Sequence, residues 1–294
     1  MRWNQQLCYD LLYRVVNELL KEYGQRYLGG EVGFIGVLHT WGQQLSYHVH
    51  LHCIILGGAL RSDGVFVESD EQWLFPVVAL AADFRQRFCA GVAALYAAGK
   101  LRLPAPWLDG DVFAAQQSAS LDKAWEVYLK PPFGKPARVL EYLAGYVNRI
   151  AMSNRRIEEV SNNKVTFRYR DYREEGNIKS MSLPVHEFMR RFLQHVLPAG
   201  FVRIRYFGLW HPSQRHKLTG IRRQLVKAHP GIDPETLTFW FRILTPEEKQ
   251  RCPVCGEGSL ICIGEYQGTR RQLAHRQRRR LLPSERRWIQ RRAA

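Results

Sequence analysis

Acidic residues are scarce in this chain. Aspartate and glutamate total 27 against 43 lysines and arginines, leaving a net charge of +16 and a pI near 9.8 over 294 residues. Such an imbalance disfavours partners that are themselves basic and favours a polyanion, nucleic acid first and an anionic membrane surface second. Long apolar runs are missing too. The longest, around "FPVVALAA", stops at Asp83, well short of the roughly 18 residues a bilayer span needs. Cysteines number six and are scattered apart from one Cys-x-x-Cys pair, so no disulfide framework is expected. The first residues, "MRWNQQLCYDLLYRVV", have helically spaced apolar positions broken by charge, unlike a signal peptide. A soluble protein of a reducing compartment, the cytoplasm, is the resulting expectation.

What is present is the material of a folded core. Hydrophobic residues make up 46% and aromatics 12%, which argues against disorder. From Leu7 to Tyr23, Leu11, Leu12, Val15, Val16, Leu19 and Leu20 form one stripe and predict an amphipathic helix. "GFIGVLHTW" and "YHVHLHCIIL" predict two strands joined by the turn "GQQLS", an antiparallel hairpin that Gly57 and Gly58 close. Phe75–Leu101 predicts one or two core helices, "AWEVYLK" a short strand, and "PPFGKP" a rigid loop. Pro136 then suits the first turn of a helix over "ARVLEYLAGYVNRI". "KVTFRYRDYR" and "GFVRIRYFGLW" read as strands on either side of a helix, "VHEFMRRFLQHVL". There is no regular βαβ rhythm and no internal repeat, so the expected fold is α+β: a central, mostly antiparallel sheet flanked by helices.

The composition changes near 217–230. Residues 1–220 are expected to form the main folded domain and 221–294 a basic extension. From Thr269 onward ten arginines face a single acid, Glu285. That tail reads as a nucleic-acid-binding arm, with a solvated basic tail as the plainer alternative. Cys252 and Cys255 form one zinc half-site, which Cys262 and His275 would have to complete at irregular spacing.

Histidines carry the chemistry. His48, His50 and His52 alternate along one strand and therefore share a face, about 6.6 Å apart per pair. If the hairpin turn centres between Gln44 and Leu45, His39 falls opposite His50, with Cβ atoms roughly 4.5–5.5 Å apart. His39, His50 and His52 would then converge, and three neutral imidazoles can hold a metal ion while leaving positions open for a phosphate oxygen. His48 lies farther from His39 and reads as supporting the others. The plainer reading is a set of partly exposed surface histidines.

Tyr142 and Tyr146 stand one helical turn apart, so their phenols share a face. Ordinary packing explains many such pairs, but tyrosine can also serve as a covalent nucleophile once a metal or base assists it. Arg149 and Asn154 lie close by in sequence and could contact phosphate. Tyr169, Tyr172, Tyr206 and Trp210 interleave with Arg168, Arg170, Arg173, Arg203 and Arg205, the pattern of base stacking beside backbone contacts in single-strand binding.

"HVHLHCIILGGAL", "YLAGYVNRIAMSNRRI" and the pair "VTFRYRDYR" and "GFVRIRYFGLW" resemble the two-tyrosine rolling-circle transposases of bacterial insertion sequences (the IS ninety-one family). These belong to the HUH endonucleases, named for a His-hydrophobe-His strand. The resemblance spans roughly residues 30 to 220. It implies that His50 and His52 are the metal-binding pair, His39 the third ligand, Mg²⁺ or Mn²⁺ the ion, and Tyr142 and Tyr146 the nucleophiles. It also implies single-stranded transposon ends as the substrate, and a 5′-phosphotyrosine intermediate with a free 3′-hydroxyl. A plasmid replication initiator or relaxase would use the same site, and a decayed transposase would fold and bind DNA without cutting it. Family members carry a cysteine-rich zinc segment ahead of the catalytic domain. This chain begins after the place expected for it, so a shortened start or a reduced form is the expectation.

Overall fold

A computed structural model describes residues 1–70, 74–130, 151–172 and 174–229. The chain divides into two compact units, Met1–Pro230 and Gly231–Ala294, and the second lies outside the described residues. The predicted tyrosine helix also lies outside them, and so do Cys252 and Cys255.

The first helix, α1 (Gln5–Tyr23), buries the predicted stripe: Leu11, Leu12, Val15, Leu19 and Leu20, joined by Tyr9, Tyr13 and Tyr23. It packs on the sheet formed by β1 (Gly33–Trp41), β2 (Tyr47–Ile55) and β8 (Ile204–Gly208). The strand order is β2-β1-β8 and both pairings are antiparallel. As the central strand, β1 is buried along nearly its whole length. Its alternation sends Phe34 and Leu38 toward α1, together with Val49, Leu51, Cys53 and Ile55 of β2. Gly36 makes this docking close: a Cβ there would lie 3.0 Å from the Tyr13 ring. The Tyr13 hydroxyl reaches past it to donate to the Arg203 carbonyl, and its ring stacks on Phe207 of β8 at 6.0 Å. The opposite face of the sheet carries the histidines.

Helix α2 (Val77–Ala97) covers α1 and is a single helix, with α3 (Gly110–Asp122) packed beside it. Asp109 caps α3 by accepting from the Asp111 and Val112 amides at 2.8 and 3.3 Å, a helix-start signal absent from the expectations above. A short ribbon, β3 (Gly58–Leu60) with β4 (Phe66–Glu68), was also not anticipated. Gly58 belongs to this ribbon and begins β3.

Two expectations are corrected. "AWEVYLK" forms no strand, because Trp125 and Val127 dock as isolated side chains on the helical core and no ladder partner lies alongside them among the described residues. The strands also do not merge into one central sheet. β5 (Ile157–Ser161), β6 (Lys164–Asp171) and β7 (Asn177–Pro184) make a separate antiparallel sheet. Its β5–β6 turn is Asn162–Asn163, both at positive φ (47° and 56°), the mirror-image turn that matches strand twist. Helix α4 (Val185–Leu193) follows, and its Phe188 packs into a second core with Val165, Phe167 and Leu183. Helix α5 (Arg215–Ala228) completes the described unit. The result is a mixed α/β fold with antiparallel sheets flanked by helices. No described helix is long and apolar enough to cross a membrane.

Candidate metal centre and nucleic-acid cleft

Strand pairing brings the histidines together. His39 of β1 lies opposite His50 of β2, and Val37 lies opposite His52. His39 therefore faces His50 squarely and His52 diagonally, on the face turned away from α1. Ring centroids are 4.5 Å apart for His39–His52, 4.9 Å for His50–His52 and 5.5 Å for His39–His50. One ligand nitrogen from each can be chosen so that all three lie within 4.8 Å of one another. A group this tight can share one ion. His48 is exposed and falls outside the group, although its ring is 4.8 Å from that of His50.

The donor chemistry fits a metal. Burial holds the His50 imidazole below its ordinary pKa, which favours the neutral form a cation requires. His50 Nδ1 lies 3.0 Å from the His48 carbonyl oxygen, which can only accept, so Nδ1 carries the proton and Nε2 keeps its lone pair. An imidazole whose second nitrogen is tied to a backbone carbonyl is the usual arrangement for a ligand histidine. His39 is nearly buried, at 3% exposure, and its ring stacks on Trp41 at 4.6 Å and 23°. That contact fixes the plane of the His39 ring.

The hairpin turn is anchored from outside. Pairing slips between His39 and Trp41, and the chain turns through Gly42–Ser46 with Leu45 at φ +57°. A branched aliphatic residue there is strained, and it is held because its side chain is fully buried in the second core. Three successive carbonyls of this turn accept from side chains elsewhere. Arg156 donates to Gln43 at 2.5 Å, Arg191 to Gln44 at 3.2 Å, and Gln194 to Leu45 at 2.8 Å. His195 donates Nε2–H to the same Leu45 carbonyl at 3.2 Å and so accepts at Nδ1 from Thr40, next to His39. Burial lowers the His195 pKa and keeps it neutral. The second sheet and α4 thus hold the tip of the histidine hairpin.

The triad opens into a cleft whose other walls are Trp41, Gln43 and Gln44 of the turn and Arg170, Asp171 and Tyr172 at the end of β6. Sequence reading singles out Arg170 and Tyr172 but misses Trp41 and the two glutamines. The available signal was the position of Trp41, two residues beyond His39 on the same strand. Arg168 ion-pairs with Glu158 at 3.6 Å and donates to the Arg155 carbonyl. Arg205 is bound to Asp10 at 2.5 Å and lies over the Tyr13 ring at 4.2 Å, a packing position. Arg203, on the same stretch, is half-buried and its pKa is lowered by that burial. Asn154 opens a short turn over Asn154–Arg156. Tyr142, Tyr146 and Arg149 lie outside the described residues, so the cleft is seen without them.

Residues 33–217 match the family model described as "Putative transposase". The chain is 37% identical over 281 residues to the "Putative transposase y4qJ" of Sinorhizobium fredii, covering 90% of this chain and 69% of that protein. It is 25% identical over 258 residues to the "Transposase for insertion sequence element IS801" of Pseudomonas savastanoi pv. phaseolicola, covering 84% of this chain and 60% of that protein. No solved structure matches the chain.

Proposed function

Because the chain belongs to the Putative transposase family, we propose that it cuts and rejoins single-stranded DNA at the ends of an insertion sequence, by the chemistry of the HUH endonucleases. The observation that carries this reading is the convergence of His39, His50 and His52 at an open cleft, in a chain of net charge +16. The His39–His50 register was expected from the turn alone, and the same register supports the ligand set named from the resemblance.

The three histidines would hold Mg²⁺ or Mn²⁺. Bound there, the ion supplies Lewis-acid polarisation of a phosphate oxygen and a fixed point for the scissile group. The rest falls to the chain. His48 orients His50 through its carbonyl, Trp41 braces His39, and the anchored turn keeps the two strands in register. A tyrosine oxygen, from Tyr142 or Tyr146, attacks the phosphorus as the phenol gives up its proton. The P–O3′ bond breaks, and the departing oxygen takes a proton to become a free 3′-hydroxyl. The 5′-phosphate stays esterified to tyrosine. Attack by a 3′-hydroxyl on that ester frees the phenol and joins two strands. The free 3′-hydroxyl can also prime replication, which gives transposition its rolling-circle character, and a second tyrosine permits a second such transfer.

The test is covalent capture. Labelled single-stranded oligonucleotides carrying candidate end sequences are incubated with the protein and Mn²⁺, then resolved on a denaturing gel. A protein–DNA adduct is expected from the wild type and not from the Tyr142→Phe, Tyr146→Phe double variant, in which the rings remain and the oxygens are gone. An adduct persisting in the double variant removes both tyrosines from the mechanism.

A further inference from the structure

We propose that Arg170 and Tyr172 form a nucleotide clamp at the lip of the histidine cleft, with Arg170 on a phosphate and Tyr172 stacked on the adjoining base of single-stranded DNA. The proposal rests on the functional reading above and adds to it the residues that seat the strand next to the scissile phosphate.

Four observations converge. Arg170 and Tyr172 line the same cleft as the three histidines, so a strand whose phosphate reaches the triad passes them. They stand two residues apart where β6 runs into its turn, Arg170 near the strand's end and Tyr172 as the first residue beyond it. Both are exposed, in contrast with Val165 and Phe167 of β6, which are buried in the second core. Tyr172 is 69% exposed, and among the described residues it has no ring partner, so both faces of the phenol are available to a base.

Charge separates Arg170 from its neighbours. Arg168 is paired with Glu158, Arg205 with Asp10, and Arg190 and Arg191 with Glu187. No described carboxylate lies within ion-pair distance of the Arg170 guanidinium. Asp171 also lines the cleft, but its carboxylate is turned to Lys179 at 3.1 Å, a lysine it shares with Glu174 at 2.6 Å. The Arg170 stem passes close to Gly176, where an added Cβ would lie 3.5 Å from its Cδ, and the guanidinium beyond it carries no described ion pair.

Position is fixed as well. The Arg170 amide donates to the Gln43 side-chain oxygen at 3.4 Å, which ties the clamp to the turn of the histidine hairpin. Clamp and triad are therefore mounted on one anchored structure. Trp41 faces the cleft from the hairpin side, but His39 occupies one face of its ring, leaving Tyr172 as the freer stacking surface.

The experiment measures fluorescence anisotropy of a labelled single-stranded oligonucleotide with the full chain in EDTA, where binding proceeds without cleavage. Wild type, Tyr172→Ala, Tyr172→Phe and Arg170→Ala are compared, with circular dichroism to confirm that each variant folds. Loss of the ring should weaken binding about tenfold, the scale of one base stacked on an aromatic, while Tyr172→Phe stays near wild type. On an oligonucleotide made abasic throughout, Tyr172→Ala and wild type should bind alike. Arg170→Ala should lower the slope of log affinity against log salt by about 0.7, one phosphate on a single strand. Equal affinity of all variants on the intact strand overturns the clamp while leaving the cutting chemistry standing. A Tyr172→Phe protein as weak as Tyr172→Ala overturns stacking and assigns the hydroxyl instead. A wild type that binds no single strand removes the functional reading, and the clamp with it.

Discussion

His39 lies directly across the strand pair from His50, yet its ring is nearer that of His52, at 4.5 Å against 5.5 Å. The diagonal contact wins because the side chains lean along the strand. It places the convergence point between positions 50 and 52 and away from 48. Three imidazoles at that point form a half-shell, with the open side toward Trp41, the turn and the end of β6.

Unequal effects of the four histidines follow. His39→Ala, His50→Ala and His52→Ala should each weaken Mn²⁺ affinity by about tenfold or more and abolish adduct formation, as removing one ligand from a three-point site implies. His48→Ala should change Mn²⁺ affinity little. Titration calorimetry with Mn²⁺ on the full chain reads this directly. EDTA should stop cleavage and spare single-strand binding. A site that tolerates His39→Ala but not His48→Ala would mean that the ion is held at a different point along β2.

Leu45 gives a stability prediction. Its side chain is fully buried in the second core, while its backbone belongs to the turn of the histidine hairpin. Leu45→Ala deletes buried methyls in a place that cannot easily collapse, because the carbonyls of Gln43, Gln44 and Leu45 itself are tied to Arg156, Arg191 and Gln194. A loss of about 2–5 kcal/mol is expected from urea unfolding. Leu45→Gly loses the same packing but relieves the positive φ, and should cost less than alanine. A loss below about 1 kcal/mol would show that Leu45 does not anchor the turn in the second core.

Much of the metal hairpin was readable in sequence because its information is local. Alternation put His48, His50 and His52 on one face, and a short turn fixed the register that brings His39 opposite His50. The supports were not readable. Arg156, Arg191 and His195 reach the turn from 113 to 150 residues away, and nothing in their own surroundings marks them. The separate second sheet was missed for a different reason. β5, "IEEVS", is too short and polar to alternate clearly, although the Asn162–Asn163 turn beside it was a usable hairpin signal. "AWEVYLK" had strand-like alternation, but a strand also needs a partner, and pattern alone does not supply one.

His195 predicts a pH dependence. Its folded-state pKa is lowered by burial, so between that value and the unfolded value near 6.5 the unfolded chain binds more protons. Its stabilising effect is present above the unfolded pKa and is lost as pH falls toward the folded one. Urea unfolding should therefore show wild type losing stability from pH 7.5 to pH 5. His50 shifts in the same direction, so the comparison must be with a His195→Gln protein, which keeps a hydrogen-bonding side chain but does not titrate. The wild-type profile should be the steeper. Parallel profiles would show that His195 is protonated without penalty and does not hold the turn in its neutral form.

The arginine tail makes a prediction about range, not chemistry. Residues 269–294 carry ten arginines and one acid, whereas the cleft offers Arg170 as its uncompensated cation among the described residues. If the tail neutralises phosphates, the truncated chain releases fewer counterions on binding. The slope of log affinity against log salt should then fall by about 0.7 for every phosphate of a single strand that the tail had neutralised. Affinity should drop most at low salt, where unscreened charge acts farthest. The histidine triad lies on β1 and β2, remote in sequence from this segment, so Mn²⁺ affinity should be unchanged by the deletion. Anisotropy titrations of full-length and truncated chains at several salt concentrations, on one oligonucleotide, measure both slopes. Identical slopes would assign the tail to solvent and leave DNA attraction to the basic residues of the folded unit.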